Sequence, residues 1–99
     1  MMFFILLLGY TPLHEAAKKG NFEVCKLIIG KVEDKNPKND FDTTPLHMAA
    51  ENGHFKICQL ILKLIEEKNP VNVCQDSPLD LAKRHRHAAI CQLIESTIH

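Results

Sequence analysis

The chain has 99 residues, of which 45% are hydrophobic and 24% charged, and its 12 lysines and arginines are matched by 12 aspartates and glutamates. That length allows one domain with a core of marginal size, and that composition belongs to a folded chain rather than a disordered one. A formal net charge of zero supplies no overall field for nucleic acid or an anionic membrane surface, so a protein is the class of partner that suits it.

Met1 to Leu8 is an uninterrupted apolar run. It falls far short of the roughly 20 residues that span a bilayer, so it is not a membrane helix. It also lacks the basic start and small-residue cleavage site of a signal peptide. Two expectations stand side by side: the run covers an otherwise bare face of the domain that follows, or it marks the truncated or misassigned start of a longer array.

From Thr11 a helix start is legible. Its hydroxyl can cap free backbone N–H groups, and Pro12 at the first helical position gives up an N–H that had no partner. Leu13, Ala16 and Ala17 share one face, which predicts a short helix over about Pro12 to Lys19, stopped by Gly20. A second helix is expected from about Phe22, with Val24, Leu27, Ile28 and Val32 as its inward stripe, running out at Asn36-Pro37.

The pattern then returns. Thr44-Pro45-Leu46-His47 repeats Thr11-Pro12-Leu13-His14 at a spacing of 33 residues, and Ser77-Pro78-Leu79-Asp80 follows at the same spacing. A fixed period of this size means stacked units and not one continuous core. The second unit predicts helices over Pro45 to Asn52 and Phe55 to about Glu66, with Gly53 between them and Ile57, Leu60, Ile61, Leu64 and Ile65 inward. In the third, Lys83 replaces Ala17 and Ala50, and Arg86 replaces Gly20 and Gly53. Lys83, Arg84 and Arg86 therefore suit the polar outer face of an end unit.

Cys25, Cys58 and Cys91 keep the same 33-residue period, so they occupy one structural position three times. Stacked helices lie about 8–10 Å apart, beyond the roughly 7 Å Cα separation that a disulfide tolerates. They are expected to be small buried hydrophobes in a reducing compartment.

The Thr-Pro-Leu-His motif, paired alanines, a glycine three residues on and an apolar second helix, in three copies from about Gly9 to Ile98, resemble the ankyrin repeat family. The resemblance implies an all-α solenoid of stacked helix-turn-helix units with short projecting β-hairpin loops, the fingers. It divides the domain, residues 9–99, into repeats of about 11–43, 44–76 and 77–99. It implies that His14 and His47 brace neighbouring repeats, and that a protein is bound on the concave surface of fingers and first helices. The family's most variable surface positions fall on Tyr10, Lys18 and Lys19, then on Asp40, Phe41, Thr43, Glu51 and Asn52, and then on Val73, Cys74, Asp76, Arg84 and His85. The finger glycine matches Gly9, but its equivalents are Asp42 and Gln75, so less regular fingers are expected.

Phe41 stands out among these candidates, because aromatic residues are enriched at interface centres, with folding down onto the next finger as the equal alternative. His85 and His87 read as a solvated end cap, with a phosphate or metal patch as the sharper alternative. No nucleophile motif, phosphate-cradling glycine loop or zinc-type spacing is present, so no catalytic, cofactor or metal site is assigned. The expected function is a non-catalytic protein-binding module, monomeric or part of a longer array, in the cytoplasm, with the nucleus as the alternative. The alternative is a structural piece of a longer repeat protein whose functional region lies elsewhere.

Overall fold

A computed structural model describes residues 8–98. The expectations for Met1–Leu8 lie, except for Leu8 itself, outside the described residues. The described chain forms three helix-turn-helix pairs: α1 (Pro12–Lys19) with α2 (Phe22–Ile29), α3 (Pro45–Glu51) with α4 (Phe55–Leu62), and α5 (Pro78–Arg84) with α6 (Ala88–Ile98). The fold is the expected all-α stack.

Each first helix starts on the same reciprocal cap. Thr11, Thr44 and Ser77 accept from the backbone N–H of His14, His47 and Asp80, and those three side chains in turn accept from the backbone N–H of the cap residue. This satisfies two free N–H groups at once, and a proline with no N–H stands at the next position.

In the first two repeats the histidine also reaches outward. His14 Nε2 lies 2.7 Å from the carbonyl oxygen of Thr43, and His47 Nε2 lies 2.9 Å from that of Asp76. A carbonyl only accepts, so Nε2 carries the proton and Nδ1 is the acceptor facing the threonine N–H and hydroxyl. Asp80 keeps the local cap alone, at the repeat that has no following finger among the described residues.

The turns between helices use left-handed backbone: Gly20 at φ 77°, Gly53 at φ 78° and Arg86 at φ 62°. A Cβ on Gly20 would fall 2.5 Å from the His54 ring, and one on Gly53 2.8 Å from His87. Those two positions therefore need glycine for space as well as for conformation. Arg86 carries a side chain in the same conformation, which costs about 1–2 kcal/mol.

The second helices are shorter than the sequence predicts. α2 ends at Ile29 and α4 at Leu62, not near Asn36 and Glu66. The cause is a side chain six residues on: the Lys35 ammonium donates to the carbonyls of Ile29 and Val32, and Lys68 donates likewise to Leu62 and Ile65. Satisfying the last free carbonyls in this way draws the chain out of the helix.

The inward stripe of α2 also needs correction. Its buried residues are Cys25 and Ile29, whereas Val24 and Val32 are partly open and Leu27 is 64% exposed. In α4 the buried set is Ile57, Cys58, Ile61 and Leu62, with Leu60 only half-buried and Leu64 exposed. Val24 and Ile57 are equivalent, yet Val24 is 36% exposed and Ile57 1%. The difference is position, because Ile57 is sandwiched between repeats.

The core runs through the stack from Leu13, Ala17 and Cys25, through Leu46, Ala50, Ile57 and Ile61, to Ala82, Ile90 and Ile94. The small alanines of α1, α3 and α5 allow neighbouring first helices to pack closely. Cys25 and Cys58 are buried free thiols, as expected, but Cys91 in the last repeat is only half-buried.

Candidate interaction surface

The loops before α3 and α5 are built alike, and the reason is an asparagine. Asn39 Oδ1 accepts from the N–H groups of Phe41 and Thr43 at 2.9 Å, and Asn72 Oδ1 does so from Cys74 and Asp76 at 2.9 and 3.0 Å. Backbone bonds from Asn39 N to Thr43 O and from Asp42 N to Asn39 O, both 3.0 Å, close the first turn, and the same pair closes the second.

Asp42 and Gln75 sit at φ 57° and 67°. The missing glycines therefore do not make the two fingers irregular, since this double bracket holds either residue in the left-handed region. Among the described residues the fingers are closed turns without strand assignment. Neighbouring fingers are tied by single backbone bonds of 3.0 Å, Asp40 N to Leu8 O and Val73 N to Phe41 O.

This framework holds Phe41 and Val73 out from the stack, 43% and 54% exposed. Asp40 and Cys74 beside them are also exposed. Thr43 and Asp76 have a double duty, because their carbonyls receive the bracing histidines.

The Asp76 carboxylate is also gripped by Arg84, at 2.7 and 3.2 Å. The guanidinium hydrogen bonds hold this carboxyl below its ordinary pKa and hold the arginine above its own. Arg84 thus ties the finger before α5 to that helix instead of forming part of the end cap. One step along, His85 Nε2 lies 3.6 Å from Glu51 Oε2 on α3. These contacts bring Glu51, Asp76, Arg84 and His85 into one polar group.

Lys18, Lys19 and Asn52 stand at the exposed ends of α1 and α3. Lys19 pairs with Glu15 at 3.2 Å, and Asn52 donates to the Met48 carbonyl at 2.8 Å. Tyr10 packs edge-on against the His14 ring.

Two residues escape the sequence reading. His87 is no solvated cap: its Nε2 donates to the Glu51 carbonyl at 3.0 Å, as His54 Nε2 does to Lys18. The signal was present in the spacing of His54 and His87, again 33 residues and each just after a left-handed turn. Four imidazoles therefore brace the stack, two through the fingers and two through the ends of first helices.

Among the described residues no group of three metal-binding side chains comes together, and no helix is long and apolar enough to cross a membrane. Burial pushes the Cys25 and Cys58 thiols up to about 11 and about 12, which keeps them from acting as nucleophiles.

No curated protein matches the chain significantly. A family model described as ankyrin repeats (3 copies) matches residues 13–99. Three in-phase capped helix pairs, braced by histidines and linked through their fingers, agree with that match: the chain belongs to the ankyrin repeat family.

Proposed function

We propose that this chain is a non-catalytic interaction module that binds a protein partner on the concave surface of its fingers and first helices. The observation that carries this is the presentation of Phe41 and Val73, two large apolar side chains held in the open by hydrogen-bonded turns. Rigid apolar anchors inside a polar surround are the pattern of an interface centre. Glu51, Asn52, Arg84 and His85 form that surround, and Lys18, Lys19 and Asp40 extend it. Ordering these groups costs little on binding, because backbone and ion-pair contacts already hold the fingers.

The free, buried thiols support a reducing compartment, cytoplasmic or nuclear. The test is capture of partners from a native lysate by the wild-type chain and by a Phe41→Ala/Val73→Ala variant, with matched unfolding midpoints as the control. Loss of the captured proteins is expected, because truncating an interface centre typically costs at least about 2 kcal/mol. Equal capture by a folded variant would place the interface elsewhere.

A further inference from the structure

Cations are spread unevenly over the second helices. Between α2 and α4 lies a groove of about 270 Å³, walled on one side by Phe22 and on the other by Lys56, Gln59, Leu60 and Lys63. No finger or first-helix residue lines it, and no carboxylate does. Phe22 and Leu60 are half-buried and packed against the core, so they form a recessed apolar floor. Lys56 and Lys63 are exposed at its rim, and Lys26 Nζ stands 5.5 Å from the centre of the Phe22 ring. Among the described residues none of these three ammonium groups is held in an ion pair.

The 33-residue register separates what the stack needs from what it does not. At the next pair of second helices, Phe22 and Leu60 have apolar counterparts in Phe55 and Leu93, whereas Lys26, Lys56 and Lys63 give way to Gln59, Ala89 and Ser96. The floor repeats and the charge does not. Packing between helices accounts for the floor, and nothing within the stack uses the lysines.

We propose that this groove docks an acidic amphipathic helix of a partner protein, on a face separate from the finger surface. Lys56 and Lys63 stand seven residues apart with Leu60 between them, which places them about 10 Å apart along the helix axis. Two carboxylates seven residues apart on a partner helix have the same spacing. Apolar residues three and four positions after the first carboxylate then fall between the ion pairs, over Phe22 and Leu60. The charges set orientation and on-rate, and the floor supplies the apolar burial. An anionic bilayer suits the site less well, because its surface meets the lysine rim without entering the recess between two helices, which a side chain of a docked helix fills.

The test uses two labelled, hydrocarbon-stapled synthetic helices with the same leucines, one carrying glutamate and the other lysine at the two flanking positions. Fluorescence anisotropy should show binding of the glutamate helix, tighter at low salt than at high, and none of the lysine helix. Lys56→Gln/Lys63→Gln, at exposed positions that leave the fold intact, should weaken binding several-fold. Phe41→Ala/Val73→Ala should leave it unchanged, which keeps this result separate from the success or failure of the finger surface. No binding of the glutamate helix up to about 1 mM, or equal binding of the lysine helix, overturns the proposal. So does an affinity indifferent to the lysine changes, or one lost with Phe41 and Val73. Capture by anionic phospholipid vesicles through Lys56 and Lys63, without binding of the glutamate helix, overturns it too and assigns the lysines to a membrane surface.

Discussion

The imidazoles of His14 and His47 are held in one protonation state from both sides. Nε2–H donates to a neighbouring finger, and Nδ1 must stay bare to accept from the threonine cap. A second proton would have to face those donors in a buried site. Burial is the largest influence on both rings and holds their pKa below the ordinary 6.5. The carbonyl bonds act in the opposite direction and are outweighed. Below pH 6.5 the unfolded chain takes up protons that the folded chain refuses, so stability falls as the pH drops. The loss is about 1.4 kcal/mol for each unit by which each folded pKa lies under the unfolded one, and it levels off once the folded rings protonate. Urea unfolding at about pH 7.5 and about pH 5 measures this. A His14→Gln/His47→Gln variant should show a flatter dependence, and an equally steep one would assign the effect to other groups.

At the scale of the helix, the starts and the ends of α1 and α3 were legible in the sequence, and the ends of α2 and α4 were not. Thr11, Thr44 and Ser77 act on residues three positions away, so the cap is a local matter that spacing alone reveals. The ends of α2 and α4 depend on Lys35 and Lys68, whose ammonium groups return to carbonyls three and six residues back. Nothing in apolar periodicity signals such a contact. Periodicity also misplaced Leu27 and Leu64 in the core, because a repeat helix meets neighbours on some flanks and solvent on others. The consequence is measurable in chemical denaturation. Ile61→Ala, at a fully buried position, should cost about 2–5 kcal/mol, while Leu27→Ala should stay within about 0.5 kcal/mol. Half-buried Leu60 should fall between them. Of the candidate surface, the family pattern gave the positions, but the pairing of Arg84 with Asp76 joins residues whose distance apart only the folded finger sets.

Across the whole molecule, the charged face of the last repeat opposes head-to-tail stacking, since Lys83, Arg86 and Glu95 would have to be desolvated. Replacing Lys83 by Ala, Arg86 by Gly and Glu95 by Leu would rebuild there the surface that the inner repeats bury against one another. The triple variant is expected to gain mass with concentration in light scattering, through head-to-tail stacking. A strictly monomeric triple variant would show that these side chains do not limit assembly. Three repeats leave little reserve of stability, so the same change should not be offset by the relief of strain at position 86 alone.

The bracing histidine bonds span either 29 or 36 residues, so each reaches no further than the adjacent helix pair or the finger that leads into it. Amide hydrogen exchange should therefore be graded rather than uniform. Slowest exchange belongs to α3 and α4, which are held from both sides, and a repeat can open at either end while the remaining pair stays folded. Protection is then set by place in the row more than by the residues of any one helix, and the middle pair is where refolding has most reason to begin.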